Sequence, residues 1–508
     1  ALGAWIFLGA GILLGARWSY AELGWGGYWA WDPVENASLM PWLTGTAFLH
    51  SVMLQEKRGM LKIWNVSLVL ATGTLCVLGT FLVRSGVLDS IHAFGASTLG
   101  VPFVTLLGVM IAGSVALVVS RRESLRSENR LDSFLSREAI FLANNLVLVG
   151  LCFVVFWGTF FPLIAEALTG DRKTVGPPWF DRYTVPLTIA LVLLSGIGPV
   201  IAWRRATWAS ARRAFAFPVG VMVLSVVVPV VAGVDHAMAL AMFGATGLVL
   251  GTVAQEFWRG TGARRAMSGE RAPLALVSLV RRNRRRYGGY VVHVGMALLF
   301  AGVAASSALE HTRDAQLTPG KSTRIGDYTV TYEKPLAGVA EEAGQLEAIR
   351  IGAVLRIQRD GGEPFRATTE RRYFPSTDPK LGPVGRYFEG ESTSEIALHA
   401  GLTRDFWAAY QPDQEVIQKY VQALDKEVAN RPPEEQFTVL GRFIGLLNER
   451  PPVGTFRLIA SPLVSWIWLG AIISVIGGIL ALWPAPDAAR RKATARAHAR
   501  VAQDLGRA

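Results

Sequence analysis

Long apolar stretches separated by short polar loops dominate the pattern of hydrophobic and polar positions in this chain. A helix needs about 20 apolar residues to cross the hydrocarbon core of a bilayer, so each long stretch predicts a membrane-spanning helix. The sequence predicts about ten such helices. Their approximate limits are 1–16, 41–55, 62–83, 100–120, 139–163, 184–203, 214–233, 236–257, 288–308 and 461–483.

The pattern changes between residues 309 and 460, where alternating apolar and polar residues replace the long apolar stretches. The runs 322–333 and 349–357 alternate in this way, which is typical of strands with one buried face. Gly361 and Gly362 supply a turn signal, and residues 414–430 predict a helix. The sequence therefore predicts a polytopic α-helical membrane protein with a mostly β domain inserted before its last helix.

Three parts follow from these patterns. Residues 1–308 form a transmembrane helical core, which contains a tryptophan-rich loop at 18–42. Residues 309–460 form a soluble domain, and a segment of this length is large enough to fold around its own core. Residues 461–508 hold the last transmembrane helix and a basic tail.

The distribution of basic residues predicts the orientation. The segments 56–62, 121–138, 204–213 and 258–287 and the tail together hold about 27 Lys and Arg, whereas the loops 84–99 and 164–183 hold about four. The basic set is therefore cytoplasmic, and the tryptophan-rich loop and the 309–460 domain face the opposite side. The net charge of +12 is explained by topology, so nucleic acid is not an expected partner.

Cysteine usage excludes several kinds of site. Cys76 and Cys152 both lie inside apolar stretches, so we expect neither a disulfide framework nor a thiolate metal site. The chain has no C-x-x-C-H motif, so it does not itself carry covalently attached c-type haem.

Residues 18–42 hold five of the sixteen tryptophans, with glycines between them. Such a concentration favours an apolar surface for a large flat aromatic ligand such as haem. The alternative is an interfacial aromatic belt, which usually places one or two tryptophans at each helix end. The candidate ligand-binding residues are Trp25, Gly26, Gly27, Trp29, Trp31, Asp32, Pro33, Glu35, Asn36, Trp42 and, from a neighbouring outer loop, His92.

The same segment contains a helix-start pattern. Asp32, Pro33 and Glu35 suit the N-cap, N1 and N3 positions of a capping box. The simplest role of the two carboxylates is therefore to begin a helix, and we assign no catalytic residue here. Pro41 also suits the first position of the helix predicted at 41–55.

Two of the seven histidines, His50 and His293, lie inside apolar stretches, where an ionisable side chain is costly and is a candidate functional group. Each lies about five residues from the cytoplasmic end of its predicted helix, or roughly 8–9 Å in from the same face. Two imidazoles at one depth can ligate one haem iron from opposite sides. The alternative is two unrelated histidines that donate to backbone carbonyls.

The other histidines lie outside the spans. His92, in an outer loop, could ligate haem held on the tryptophan-rich surface or could be an ordinary loop residue. The position of His236 leaves its role open. His311, His399 and His498 are interpreted as ordinary surface histidines.

Residues 25–43, WGGYWAWDPVENASLMPWL, resemble the WWD signature of the haem-handling family of cytochrome c maturation. The outer insert before the last span and the histidine set further resemble the F-type haem lyase subunits of that family. The resemblance implies that His50 and His293 hold a transmembrane b-type haem and that His92 is one axial ligand of a haem in transit. A second outer histidine is expected upstream of the WWD segment, but no histidine precedes His50 here, so we expect an N-terminal part to be missing.

The resemblance also implies a function. The protein would take haem from the membrane-anchored haem chaperone of the pathway and present it to the C-x-x-C-H thiols of apocytochrome c, delivered by a thiol-handling subunit. The b-type haem would relay electrons, with quinol as a candidate source. The expected location is the inner membrane of a bacterium, among membrane lipid, with the WWD loop and the 309–460 domain in the periplasm. Alternatives are a haem exporter or carrier, disfavoured by the large outer domain, and a haem-free scaffold, disfavoured by the depth-matched histidines.

Overall fold

The computed structural model describes residues 1–88, 99–129, 131–171, 173–201, 207–342, 345–378, 380–382, 384–428 and 431–484. Fourteen helices and nine strands are found within these ranges. The helices are α1 (Leu2–Glu22), α2 (Pro33–Arg58), α3 (Lys62–Ser85), α4 (Gly100–Ser120), α5 (Arg137–Thr169), α6 (Pro177–Ile197), α7 (Trp208–Val231), α8 (Ala237–Ser268), α9 (Ala272–Arg282), α10 (Arg284–Ala308), α11 (Gly385–Phe388), α12 (Gln414–Val428), α13 (Pro433–Glu449) and α14 (Val464–Leu482).

Nine of the helices in the described ranges are long and apolar enough to cross a membrane: α1, α3 to α8, α10 and α14. The prediction of a multi-pass helical membrane protein is therefore confirmed. The remaining predicted span, 41–55, lies inside α2, which is long but is not among the nine. Proline, histidine and several hydroxyl side chains dilute the apolar character of α2.

Helix α2 begins eight residues earlier than the predicted span. Asp32 is its N-cap, Pro33 is its first residue, and the capping box predicted with Glu35 is present. The prediction that Pro41 begins a helix is wrong, because Pro41 lies within α2. A proline inside a membrane helix leaves one backbone carbonyl without its usual donor, and neighbouring helices can accommodate that group.

The chain divides into two compact units. The membrane unit comprises Ala1–Leu14, Trp29–Ala304 and Trp466–Ala508, and the sheet unit comprises Gly15–Tyr28 and Ala305–Ser465. Residues of the tryptophan-rich segment are thus divided between the two units. One buried apolar cluster of the membrane unit involves α2, α3 and α5, and another involves α6, α8 and α10.

The sheet unit contains nine described strands: β1 (His311–Leu317), β2 (Ser322–Ile325), β3 (Tyr328–Glu342), β4 (Gln345–Arg359), β5 (Phe365–Tyr373), β6 (Ser392–Glu395), β7 (Ala397–His399), β8 (Arg404–Pro412) and β9 (Gly454–Pro462). They form two antiparallel sheets, one of four strands in the order β1-β9-β8-β7 and one of five in the order β2-β3-β4-β5-β6. The predicted run 349–357 lies inside β4 and the predicted helix is α12, so both predictions are confirmed. The run 322–333 is also β structure, but a turn at residues 326–327 divides it into the two paired strands β2 and β3.

Helices α10 and α14 cross closely because small residues line their contact. A Cβ atom built on Gly288 would lie 2.6 Å from the backbone nitrogen of Ala481, and one on Gly295 would lie 2.6 Å from that of Ser474. Small residues allow membrane helices to approach at backbone distance, where van der Waals contact stabilises the pair. The crossing therefore holds α10 at a defined height and rotation relative to α14.

Candidate functional site

The structure brings His50 of α2 and His293 of α10 side by side in the membrane unit. Their ring centroids are 6.2 Å apart, and the ring planes differ by 13°. An ion pair between Glu56 and Arg285, with a 2.8 Å contact, joins the end of α2 to the start of α10. The two helices therefore run in opposite directions here, and each histidine lies about two turns inward from that ion pair.

Hydrogen bonding determines which nitrogen of His50 is available. Nδ1 of His50 lies 2.8 Å from the backbone carbonyl oxygen of Thr46, which can only accept, so Nδ1 carries the proton and donates it. The lone pair is then on Nε2. Metal-bound histidines commonly donate their other ring N–H to a backbone carbonyl in this way.

His293 has an unsatisfied polar atom. Its Nδ1 is buried, and within the described residues it has no hydrogen-bond partner. As whole residues, both histidines are partly buried. A buried imidazole nitrogen without a partner in the protein is suited to a ligand that the protein chain does not supply.

The spacing of the rings fits two axial ligands of one metal ion. Metal–imidazole bonds are about 2.0 Å long and each ring centre lies roughly 1 Å behind its bonded nitrogen, so opposed imidazoles have centres about 6 Å apart. Among the described residues, no three His, Cys, Asp or Glu side chains converge as a metal-binding group. Two histidines alone are few ligands for a bare ion, whereas they complete the coordination of haem iron.

A short hydrogen-bond chain supports His50 from the side of α1. Trp5 donates from its indole Nε1 to Oγ1 of Thr46 over 2.7 Å, and the Thr46 hydroxyl donates to the carbonyl of Trp42 over 2.7 Å. Trp5 and Trp42 also stack, with centroids 5.3 Å apart. The residue whose carbonyl orients His50 is therefore held by two tryptophans, one of them in the tryptophan-rich segment.

Trp29 and Trp31 meet edge to face, with centroids 5.8 Å apart and planes at 89°. Trp31 stacks at 4.9 Å on Phe180, which is at the start of α6, and its indole Nε1 donates to Asp181 over 3.0 Å. Because Trp29 and Trp31 are perpendicular, these two indoles do not form one flat surface. The Nε1 atom of Trp29 is buried and has no partner in the described part of the chain.

Buried hydrogen bonds hold the turn at Trp31 in a strained backbone conformation. Trp31 adopts φ +58°, a left-handed conformation that a bulky side chain rarely takes and that often marks functional sites. Asn36 is fully buried and donates from Nδ2 to the carbonyl of Trp31 and to the hydroxyl of Thr159, each over 3.0 Å. Glu35 accepts from the backbone N–H of Ala30 over 2.9 Å. Glu35 and Asn36 therefore shape the turn.

Trp25, Gly26 and Gly27 belong to the sheet unit. The Trp25 ring covers Gly27, where a built Cβ would overlap the indole, and its Nε1 donates to the Ser19 hydroxyl over 3.2 Å. Gly26 has φ +85°, and a Cβ there would also collide with Ile459. These glycines are therefore required for the local turn and for close packing.

The other predicted residues lie elsewhere or cannot be described. His92 falls among residues 89–98, outside the part of the chain that the structure describes, and so does His498. His311 and His399 are exposed on strands of the sheet unit, and His236 is exposed just before α8. Haem ligation by His50, His92 and His293 stays a prediction.

Sequence reasoning missed the partners of these residues, namely Phe180, Asp181, Thr46 and Trp5. The stretch 177–183, PPWFDRY, carries a detectable signal, because it places three aromatic residues at the start of a span on the predicted outer side. Thr46 and Trp5 have no comparable signal, since threonine and tryptophan are common in membrane helices for other reasons.

Comparison with known proteins identifies the family. The family model for "Cytochrome C assembly protein" matches residues 1–88. CcmF of Haemophilus influenzae is 33% identical over an alignment 488 residues long, which covers 95% of this chain and 65% of that protein. CcmF of Pseudomonas aeruginosa is 31% identical over an alignment 512 residues long, which covers 99% of this chain and 67% of that protein. The chain belongs to the CcmF family of cytochrome c-type biogenesis proteins.

A solved structure of a CcmF protein, named "Cytochrome c Heme Lyase CcmF", has the same fold. It superposes with a TM-score of 0.68 at 25% sequence identity, covering 95% of this chain and 65% of that one. The chain thus spans about two thirds of the length of the CcmF proteins that it matches.

Proposed function

We propose that this chain acts in the haem-ligation stage of cytochrome c biogenesis, as a haem lyase subunit that works within a complex. Its membership of the CcmF family and its likeness to a protein named as a cytochrome c haem lyase support this proposal. The observation that carries the proposal is the 6.2 Å approach of the His50 and His293 rings in the membrane unit.

His50 and His293 are the residues that would hold a resident b-type haem. A haem held there would supply one-electron redox chemistry within the membrane, with quinol as a candidate electron source. The residues of this chain contribute positioning. The Thr46 carbonyl keeps the proton on Nδ1 of His50, so that Nε2 can bind metal, and the close α10–α14 crossing holds His293 at its depth.

A second haem is the substrate, and it comes from the membrane-anchored haem chaperone. Trp29 and Trp31 offer aromatic surface to it, and His92 is its proposed axial ligand. Asp32 and Glu35 hold the turn and take no part in bond making. The sequence also predicts that Trp25, Gly26 and Gly27 contact this haem, and we retain that prediction.

The reaction joins the substrate haem to apocytochrome c, whose C-x-x-C-H thiols a thiol-handling subunit delivers. Each thiol adds to a vinyl group: sulfur bonds to one vinyl carbon, the thiol hydrogen ends on the other, and no electron is gained or lost overall. The protein contributes by holding the reacting groups in one orientation. From the distribution of basic residues, we propose that the WWD segment and the sheet unit face the periplasm of a bacterial inner membrane.

Haem spectroscopy of the purified full-length protein tests this proposal. We expect about one b-type haem per chain by pyridine haemochrome assay, with the reduced-minus-oxidised spectrum of a low-spin centre. His50→Ala or His293→Ala should abolish that spectrum, because each removes one axial ligand. His236→Ala, which changes an exposed histidine of the membrane unit, is the matched control and should keep the haem.

Two outcomes would contradict the assignment. Full haem content in both His50→Ala and His293→Ala would show that the ligands are other residues. A folded wild-type protein without haem would favour a scaffold or an empty carrier.

A further inference from the structure

Helix α8 is longer than a membrane crossing requires. It has 32 residues, which at 1.5 Å per residue extend about 48 Å, against about 30 Å for the hydrocarbon core. Its last third therefore emerges on the side where the basic loops lie. Two large apolar side chains in this part, Trp258 and Met267, are 83% and 77% exposed.

Helix α9 follows after a tight turn and packs back on α8. Gly269 ends α8 with φ +67°, and Arg264 and Glu270 form a two-contact ion pair across the turn, at 2.7 and 3.2 Å. A Cβ built on Gly260 of α8 would lie 2.8 Å from the Leu279 side chain of α9. One face of α9 is therefore fastened to the membrane unit.

The opposite face of α9 is apolar and uncovered. Ala275 is fully buried, whereas Leu274 and Val277 are 61% and 54% exposed. Leu274, Val277 and Arg281 recur at intervals of three and four residues, so they share one face of the helix. An eleven-residue helix that exposes leucine and valine beside arginine is unusual in water and is typical of the membrane interface.

Two groups of arginines near α9 differ in their partners. Arg285 and Arg286, on α10, form ion pairs with Glu56 and Glu256. Arg271, Arg281 and Arg282 are exposed, and they form no ion pair within the described ranges. The two groups therefore differ in function: the paired arginines connect helices of this chain, and the other three are available to an external anion.

We propose that α9 lies in the plane of the bilayer interface and binds the phosphate groups of anionic phospholipids through Arg271, Arg281 and Arg282. Leu274 and Val277 insert between the lipid tails just below those phosphates. Lipid is the fitting partner because the uncovered surface combines apolar side chains with unpaired positive charge, and it adjoins two membrane-spanning helices. The proposal is independent of haem binding.

Spin-label accessibility tests the depth of α9. Single cysteines replace Leu274, Val277 or, as the control in the sheet unit, the exposed Lys419 of α12, in full-length protein carrying Cys76→Ser and Cys152→Ser. The nitroxide-labelled proteins are reconstituted in nanodiscs that contain phosphatidylglycerol. We expect oxygen, which concentrates in lipid, to relax the labels at 274 and 277 more than aqueous nickel-EDDA does, with the reverse at 419.

Either of two results would overturn the proposal. Nickel accessibility at 274 and 277 equal to that at 419 would place α9 in water. Low accessibility to both reagents would show that protein, not lipid, covers this face.

Lipid retention tests the arginines. The triple variant R271Q/R281Q/R282Q should retain about tenfold less phosphatidylglycerol than wild type, measured by mass spectrometry of the lipids that copurify. The matched control K321Q/R356Q/K419Q removes the same charge from exposed positions of the sheet unit and should retain the wild-type amount. Equal loss of phosphatidylglycerol in both triple variants would show that only net charge matters. No loss in R271Q/R281Q/R282Q would exclude these arginines as the lipid site.

Discussion

His50 and His293 lie far apart in the chain and adjoin in space, whereas residues 18–42 are consecutive and divide between two compact units. Each histidine sits within a long helix, so their distance depends on how α2 and α10 are placed and rotated against each other. The tryptophan-rich segment bends through turns that depend on local bonds and on whichever residues pack against each indole. In both regions the sequence signal was an unusual residue type near apolar stretches: histidine in one, clustered tryptophan in the other. The two similar signals correspond to two different kinds of structure.

The comparison indicates which changes each region tolerates. The histidine pair should be sensitive to anything that moves α2 or α10 along its axis, even at a distance. The turn around Trp31 should respond mainly to the loss of particular hydrogen bonds, because buried bonds hold its strained backbone.

The largest effect outside the ligands is expected from Gly295→Val. The new side chain would meet the backbone of α14 at Gly470 and Ser474, so α10 must move and carry His293 with it. We expect loss of most of the low-spin haem signal and a clear fall in melting temperature, measured by absorbance and intrinsic fluorescence. Gly289→Val is the control, since a Cβ built there has no neighbouring atom within 4 Å in the described part of the chain. Equal loss in both variants would point to helix propensity and not to the crossing.

A smaller effect is expected from Asn36→Ala in the turn. The substitution removes bonds to the Trp31 carbonyl and to Thr159 from a fully buried site, at a cost of about 1–3 kcal/mol. Thermal melting should show a lower midpoint with haem content at His50 and His293 preserved. Asn144→Ala is the matched control, because Nδ2 of Asn144 is buried with no partner in the described residues. Haem loss in Asn36→Ala would mean that the turn at Trp31 also affects the His50–His293 pair.

The smallest effect is expected from Trp5→Phe, which links the two regions. The variant keeps an aromatic ring against Trp42 but removes the bond to Thr46, one step behind the carbonyl that orients His50. Direct partners of metal ligands change affinity by roughly 10–100-fold, so this more remote change should weaken haem retention by less than that. Haem retention is measured by the haem lost to a competing haem-binding protein, and the ligand environment by the low-spin electron paramagnetic resonance spectrum. Trp258→Phe, at an exposed position, should leave both unchanged.

Part of the fold could be predicted from local patterns. The spans were predictable because the thickness of the bilayer requires each to be long and apolar. The capping box at Asp32 and Glu35 was predictable because its spacing is set within one turn. The strands β2, β3 and β4 were predictable from a period of two. Pro41 was misassigned because proline is also accepted inside a membrane helix when neighbours meet the freed carbonyl.

The sequence by itself determined the multi-pass helical class, the inserted β domain and the candidate histidines, since each depends on residue type and on periodicity along one segment. Only the tertiary structure decided that the His50 and His293 rings lie 6.2 Å apart, that Trp31 packs on Phe180, and that Trp5 reaches Thr46. These contacts join residues on different helices. Their formation depends on helix crossing and rotation, which arise from the packing of many side chains together and leave no periodic signal in any one of them.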